Sequence, residues 1–219
     1  MTAEQTPAGE HRARRAPAAH GRRRDPERTK ALILDAATEE FAAKGFAGAR
    51  VSEIAARAGV NQQLIVYYFD GKEGLYRAIG RRWRAYEAEA FPAETPFADL
   101  VRDYVRASAD VRLGGRLLAW EGLADTGVDR DEEDARERHA RLRVEIDQLR
   151  ERQEAGELDP DLDPAALHLI LTGAANALAV YPHLARGLFG ADAAEPDVVE
   201  HYAEQLAAIV ARLAGPAPE

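Results

Sequence analysis

The sequence of 219 residues contains no cysteine, which excludes disulfide scaffolds, cysteine-ligated zinc and thiol catalysis. Long apolar runs are also missing. A membrane-spanning helix needs about 18 or more apolar residues, and the nearest candidate, Leu167 to Tyr181, is interrupted by His168, Thr172 and Asn176. The opening residues, MTAEQTPAGEHRARR, lack the apolar segment of a signal peptide. We therefore expect a cytoplasmic protein that does not associate with membranes.

Patterns typical of catalysis are scarce in the chain. Asp125, Asp129 and the acidic run at 131–134 supply carboxylates, but neither a converging histidine nor a glycine-rich phosphate loop accompanies them. We therefore expect no enzymatic activity, no catalytic residue, no bound metal and no cofactor.

The net charge of -9 argues against a simple nucleic-acid-binding protein, but the charge is unevenly distributed. Residues 1–82 hold 15 Lys and Arg against 10 Asp and Glu, whereas residues 83–219 hold 14 against 28. This pattern indicates that only the N-terminal part approaches phosphate. The acidic remainder keeps the protein soluble and is repelled by DNA.

Residues 1–24 are rich in Ala, Pro, Gly and Arg and have no periodic apolar face, which predicts a disordered basic tail. Its arginines form two clusters: Arg12, Arg14 and Arg15, then Arg22, Arg23 and Arg24. Two interpretations stay open. The tail is either a solubilising leader with no further role or an arm that follows DNA phosphates or enters a minor groove.

The stretch from Val51 to Phe69 has the pattern of two short helices joined by a turn. Its apolar residues follow a helical period that is interrupted once, at Gly59-Val60-Asn61. A glycine there can adopt the left-handed conformation that ends a helix, and the small Ala55 lets the second helix cross closely. This spacing is typical of a DNA-binding helix-turn-helix, although ordinary helical proteins also contain it.

Helices are predicted on both sides of this motif. Asp25-Pro26-Glu27 has the cap, the proline and the acidic residue of a helix start, and that helix closes at Lys44-Gly45-Phe46. Asp70-Gly71 breaks the pattern before a long helix. We therefore divide this part into a helix-turn-helix DNA-binding domain at 25–71 and a connecting helix at 72–90.

The segment Phe91-Pro92-Ala93-Glu94-Thr95-Pro96 has two prolines and no period, which indicates a domain boundary. We expect residues 91–219 to form one helical domain. Its helices are predicted at 97–111, 114–124, 131–155, 164–181 and 196–214. Because no strand pattern and no repeat is found, the predicted fold class is all-α.

The last two predicted helices have wide apolar faces. Leu167, Ile170, Leu171, Ala174 and Leu178 share one face, and the other carries Val199, Tyr202, Leu206, Ile209, Val210 and Leu213. A core helix pair explains these faces within one chain. A symmetric four-helix interface between two copies also explains them, and it supplies the second head that a palindromic DNA site requires.

Several motifs between Arg28 and Tyr76 occur in the same order in a known family. They are AATEEFAAKGF, then VSEIAARAGV, then LIVYYFDGKEGLY, and together they resemble the DNA-binding domain of the TetR family of transcriptional regulators. The resemblance implies a three-helix DNA-binding head joined to a larger helical domain that senses a small-molecule effector and dimerises. It also implies a repressor that binds double-stranded DNA at a palindromic operator as a homodimer through helices near 164–181 and 196–214.

The chain departs from the family pattern at several positions. Ala49-Arg50 stands where the family has Thr before the second helix, so a helix cap is lost or partly replaced by Ser52. Asn61, Gln63 and Val66 also differ, and Val66 stands where the family has a phosphate-contacting Tyr. These changes leave a second function open, a helical ligand-binding or protein-interaction module that no longer binds DNA selectively.

Candidate DNA contacts follow from the predicted recognition helix at 62–68. Gln62 and Gln63 lie at its exposed start, where an amide can donate to and accept from adenine. Of the adjacent tyrosines Tyr67 and Tyr68, Tyr67 is expected to point outward. Three further residues are candidates for phosphate contacts because they lie at helix starts: Lys72, Arg50 and Ser52.

Three polar residues spaced by four, His168, Thr172 and Asn176, form a stripe along an otherwise apolar helix. Buried polar groups need partners, so the stripe faces a ligand pocket, the dimer partner or a local hydrogen-bond network. With Tyr104, Trp120 and Tyr181 it could line the effector pocket, since such pockets are mostly apolar with few polar groups. The three aromatic residues are equally explained as ordinary core residues.

Overall fold

The computed structural model describes residues 25–92, 94–110, 115–124 and 132–213. Helices are the only regular secondary structure in these ranges, and none of them is long and apolar enough to cross a membrane. They are α1 (Pro26–Gly48), α2 (Val51–Ala58), α3 (Gln62–Phe69), α4 (Gly71–Ala90), α5 (Phe97–Ala109), α6 (Gly115–Ala124), α7 (Glu132–Glu154), α8 (Pro164–Ala175), α9 (Ala177–Val180), α10 (Pro182–Phe189) and α11 (Pro196–Val210). The all-α prediction is confirmed. The predicted basic tail, and the predicted helix ends at 111, 114, 131 and 214, lie outside the described residues.

Helix α1 begins and ends as its sequence predicts. The Asp25 carboxylate accepts a hydrogen bond from the backbone amide of Glu27 at 3.0 Å, and Pro26 occupies the first turn. Gly45 interrupts the helix with φ 67° and ψ 174°, a conformation that essentially only glycine adopts. The chain therefore turns at Gly45 before it enters α2.

The turn between α2 and α3 also has the predicted form. Gly59 is left-handed, with φ 66° and ψ 34°, and the amide of Val60 donates to the Ala55 carbonyl at 3.0 Å. The Asn61 side chain caps α3 by accepting from the amide of Gln63 at 2.9 Å. These local bonds fix the helix-turn-helix that the sequence predicts.

Helices α1 to α4 enclose one apolar core, which we call the head core. Its largest fully buried side chains are Ile33, Phe41, Ile54, Ile65 and Leu75. Leu117 of α6 is also buried in this cluster, although α6 belongs to the segment predicted to form the second domain. The head is therefore completed by a side chain from beyond the connecting helix.

A second apolar core, the body core, is built mainly around the packed pair α5 and α11. Val105, Leu158 and Ala203 are fully buried in it. The absence of a large side chain at Ala203 allows the two helices to approach closely. Arg106 of α5 pairs with Glu200 of α11, and Arg102 with Glu204, so the exposed rim of this pair is charged.

The structure differs from the sequence prediction between residues 164 and 196. The helix predicted at 164–181 is broken at Asn176, whose side-chain amide donates to the Thr172 carbonyl at 2.9 Å and competes with the helical backbone bonds. Helix α10 was not predicted. It begins at Pro182, contains Gly187 and ends at the left-handed Gly190.

Candidate DNA-binding face and effector region

The outer face of α3 carries two amides, one valine and one tyrosine. Gln62, Gln63, Val66 and Tyr67 are exposed, and Tyr67 is 79% exposed. The opposite face of the helix is held in the head core by Ile65, which is fully buried. Recognition in the major groove requires this arrangement, because one face must be anchored while the other reaches the base edges.

Tyr68 is half-buried and packs at the edge of this face. The Lys30 ammonium lies 5.7 Å from the centre of its ring, and the ring of Phe69 contacts it edge to face. Lys30, which the sequence analysis did not select, therefore brings a positive charge from α1 to the end of α3.

The start of α2 leaves backbone amides available to a ligand. Arg50 and Ser52 are exposed there, whereas Ala49 is buried. Within the described part of the chain, no side chain at the Arg50 cap position bonds to the first amides of α2. The cap expected from the family pattern is therefore lost, and the free N–H groups suit a DNA phosphate.

A buried carboxylate, Glu40, holds the α1–α2 connection from the inside. It accepts hydrogen bonds from the Lys44 ammonium at 2.8 Å and from the Arg50 amide at 3.3 Å, and the Arg57 guanidinium lies 3.7 Å away. Burial opposes ionisation, but the hydrogen bonds from Lys44 and Arg50 and the charges of Lys44 and Arg57 outweigh it and lower the pKa of Glu40.

Lys72 lies at the start of α4, beside the α1–α2 connection. Its ammonium is 4.7 Å from the centre of the Phe46 ring and 3.4 Å from the Ala47 carbonyl oxygen. Two residues later, a Cβ on Gly74 would lie 1.7 Å from the Phe69 carbonyl oxygen, so only glycine fits. This close approach fixes Lys72 relative to α3.

Helix α6 joins the body to the head through two hydrogen bonds. The Trp120 indole donates to the Ala42 carbonyl at 3.0 Å, and its ring lies directly over Gly45. The Tyr76 hydroxyl donates to Glu121 at 3.0 Å, and burial together with the Glu121 charge raises the pKa of Tyr76. Movement of α6 would therefore act directly on α1 and α4.

Four polar side chains from four different helices meet inside the body, and we call them the polar cluster: Glu87 of α4, Tyr104 of α5, Glu145 of α7 and His168 of α8. The Tyr104 hydroxyl donates to Glu87, and its ring stacks on Phe91 with centroids 4.1 Å apart. His168 Nε2 lies 3.2 Å from Glu145 Oε2. Burial and the nearby charge of Glu87 raise the pKa of Glu145, and His168 opposes this shift.

The predicted pocket residues divide between three environments. Tyr104 and His168 join the polar cluster, Thr172 and Asn176 bond to each other along α8, and Trp120 is bonded to the head. Glu87 and Glu145 were missed, because nothing in their sequence spacing indicates that they meet. Among the described residues, no three His, Asp or Glu side chains are grouped so as to hold a metal ion.

Among the helices that carry exposed apolar side chains are α8, α10 and α11. Leu169 and Ile170 lie on α8, with the exposed Gly173 one turn further, and Ile209 lies on α11. Helix α10 adds three more, Leu184, Leu188 and Phe189. We call this surface the apolar face.

Comparison with known families matches both parts of the chain. Residues 33–79 match the model described as "Bacterial regulatory proteins, tetR family", and residues 96–212 match "Tetracyclin repressor-like, C-terminal domain". The first range covers the head from within α1 to α4, and the second covers the body from α5 to the last described helix.

Individual relatives agree with these matches. The HTH-type transcriptional repressor SCO4008 of Streptomyces coelicolor is 34% identical over 178 residues, which cover 80% of this chain and 90% of that protein. The HTH-type transcriptional regulator RutR of Escherichia coli is 35% identical over 111 residues, covering 47% of this chain and 52% of RutR.

Solved structures show the same architecture. A structure described as a transcriptional regulator, SCO4942 of Streptomyces coelicolor, is similar with a TM-score of 0.66 and 28% identity, covering 87% of this chain and 99% of that one. NalD is described as the secondary repressor of the MexAB-OprM multidrug efflux pump in Pseudomonas aeruginosa. It shares the fold at 22% identity and a TM-score of 0.60, covering 89% of this chain and 100% of NalD. The chain therefore belongs to the TetR family of ligand-responsive, DNA-binding transcriptional regulators.

Proposed function

We propose that the protein is a cytoplasmic repressor that binds a palindromic DNA operator as a homodimer and responds to a small molecule in its body. The observation that carries this proposal is the exposed face of α3, which presents hydrogen-bonding side chains outward from a helix anchored in the head core. SCO4008, whose similarity extends over 80% of this chain, is described as a repressor, which supports repression rather than activation of transcription.

In this proposal Gln62 and Gln63 recognise bases, and adenine is the base that a glutamine amide matches in the major groove. Tyr67 and Tyr68 contact the DNA at the far end of α3. Phosphates on either side of α3 are bound by Arg50 and Ser52 at the uncapped start of α2 and by Lys72 at the start of α4. The DNA-binding domain proposed at 25–71, together with Lys72, thus contacts both groove and backbone, and the connecting helix 72–90 leads to the body at 91–219.

Two copies are proposed to associate through the apolar face. This surface includes the helices predicted for dimerisation, α8 and α11, and α10 extends it. Isolated exposed apolar residues are ordinary, but a set shared by three neighbouring helices favours a protein interface. A twofold arrangement would place two α3 helices about 34 Å apart, the spacing of successive major grooves.

The effector is proposed to bind at the polar cluster, beside the half-buried Thr172 of α8 and Asn176, which follows that helix. Glu87 lies on α4, so a ligand that displaced its bond to Tyr104 would shift the helix that carries Lys72. Trp120 at the α6 junction would report that shift. Candidate ligands can be titrated against Trp83→Phe protein, in which Trp120 is the remaining tryptophan. Ligands that release DNA without changing this fluorescence would count against the proposed route.

The experiment that tests the function is selection of bound sequences from random DNA, followed by titration of two variants on selected and random duplexes. Gln63→Ala should lose about 1–3 kcal/mol of discrimination, because it removes a contact to a base edge. Lys72→Ala should weaken binding to both duplexes similarly, because phosphates are common to all sequences.

A palindromic consensus would support base recognition and twofold symmetry together. Equal losses on both duplexes from Gln63→Ala would refute its role in base recognition. If no sequence were enriched with or without ligand, the second function, a helical ligand-binding or interaction module, would be favoured.

A further inference from the structure

Val66 is an apolar side chain in the centre of the proposed DNA-binding face. It is 58% exposed, and it lies one turn after Gln62 and Gln63 and directly before Tyr67. The neighbouring Ile65 is fully buried, so rotation of α3 that buried Val66 would expose Ile65 and break the head core. Val66 therefore faces the same side as the two glutamines because packing forces it to do so.

The chemistry of the major groove offers one good partner for such a side chain. Valine has no hydrogen-bonding atom, so it cannot bind a phosphate or the polar edge of a base. The thymine 5-methyl group is the apolar feature of the major groove, and apolar side chains recognise thymine through it. We infer that Val66 is a specificity-determining residue that contacts the 5-methyl group of a thymine in each operator half-site.

The position of that thymine follows from helix geometry. Side chains three or four residues apart on a helix are separated by about 5–6 Å, and successive base pairs are about 3.4 Å apart. The thymine contacted by Val66 should therefore lie within about two base pairs of the base recognised by Gln62 or Gln63. This inference rests on the proposed DNA-binding function and adds the chemical identity of one recognised base.

Replacement of thymine by deoxyuridine tests the contact directly, because deoxyuridine lacks only the 5-methyl group and keeps its base pairing. Each thymine of a selected operator would be replaced in turn, symmetrically in both half-sites, and binding measured by fluorescence anisotropy. We expect the replacement to weaken binding at one thymine position in each half-site. There, the dissociation constant should rise about fourfold for each half-site that loses the methyl contact. Val66→Ala should bind the thymine and deoxyuridine operators with nearly equal affinity.

Val144→Ala is the matched control. Val144 lies on α7, far from the head in sequence, and is 56% exposed. It should keep the full preference for thymine. Both variants replace an exposed helical valine by the stronger helix former alanine, so neither should unfold the protein.

The outcomes separate the inference from the function on which it rests. Enrichment of no DNA sequence would overturn the proposed function. An enriched operator that tolerates deoxyuridine at every thymine would overturn the role of Val66 and leave DNA binding intact. The same would follow if Val66→Ala retained the full thymine preference, because another residue would then contact the methyl group.

Discussion

At the scale of single residues, Glu40 is the ionisable side chain on which the head depends most directly. It is buried, and its partners Lys44, Arg57 and the Arg50 amide connect α1 to α2. We expect Glu40→Gln to lower the free energy of unfolding at pH 7 by about 1–2 kcal/mol, because it replaces charge-assisted hydrogen bonds by neutral ones. Urea denaturation followed by circular dichroism measures this loss.

The loss should depend on pH with a definite sign. The pKa of Glu40 is lowered in the folded head, so its ionised form adds stability above the unfolded pKa of about 4.3. This contribution is lost as the pH falls through the lower folded pKa. Wild type and Glu40→Gln should therefore converge in stability at the acidic end of the titration. A difference in the free energy of unfolding between the two proteins that stays constant down to acidic pH would contradict the role of the Glu40 charge.

Glu39→Gln provides the control for this prediction. Glu39 is adjacent on α1 and pairs with the same Arg57, but both side chains of this pair are exposed to solvent. Exposed ion pairs contribute about 0–1 kcal/mol, so this variant should be nearly as stable as wild type.

At the scale of elements, the junction between α6 and the head depends on a glycine. We expect Gly45→Ala to destabilise the head by about 1–3 kcal/mol, because its φ of 67° and ψ of 174° suit glycine almost alone. An added Cβ would also lie 2.9 Å from the Trp120 ring. Thermal unfolding should show a lower midpoint, and Trp120 fluorescence should report displacement of α6.

Gly122→Ala makes the same substitution within α6. Apart from the adjoining residues and the backbone of α6 itself, no heavy atom of the described residues lies within 4 Å of the position of the added Cβ, and alanine favours the helix. Its melting midpoint should equal or exceed that of wild type. If both glycine variants behaved alike, the close contact between Gly45 and Trp120 would have no energetic role.

The helices of the head could be predicted from the sequence because their signals are local. The start of α1 is determined by Asp25 and Pro26, and the end of α2 by Gly59, through bonds to residues within a few positions. The exposure of Gln62, Gln63 and Tyr67 followed from the same helical period. The contacts that assemble the DNA-binding face around these helices were harder to foresee, and Lys30 was missed because its partner Tyr68 is distant in sequence.

The body was less predictable because its decisive contacts are not local. The break at Asn176 coincides with one side-chain hydrogen bond to the helix backbone, and α10 lies in a stretch for which no helix was predicted. The polar cluster joins residues from four helices, so no spacing along the chain could reveal it. Likewise, Trp120 was predicted near the effector, whereas its hydrogen bond to the Ala42 carbonyl forms only when α6 packs on the head.

At the scale of the whole molecule, the acidic body and the basic N-terminal part act in opposite ways on DNA. Residues 83–219 carry 28 Asp and Glu against 14 Lys and Arg, so the body is repelled by phosphate. Residues 1–82 carry 15 Lys and Arg against 10 Asp and Glu, so this N-terminal part is attracted. This difference orients each copy with its head toward the duplex. In the proposed homodimer, the two bodies associate through the apolar face, and both heads are directed toward one operator.

Leu169→Glu therefore tests the dimer and the operator symmetry together. Leu169 is 73% exposed on α8, and a twofold interface would bury two glutamates without partners, which is costly. We expect the variant to sediment as a folded monomer and to lose affinity for a full palindrome by about 100-fold or more, because the second head no longer binds as part of the same molecule. Its affinity for an isolated half-site should remain close to that of wild type.

Leu123→Glu is the matched control, since Leu123 is 80% exposed on α6 and lies outside the apolar face. It should leave both the sedimentation coefficient and the affinity for the palindrome unchanged. A Leu169→Glu protein that stayed dimeric would move the interface away from α8. A monomeric Leu169→Glu protein that still bound the palindrome with full affinity would instead show that one head suffices, because dimerisation would then contribute nothing to operator binding.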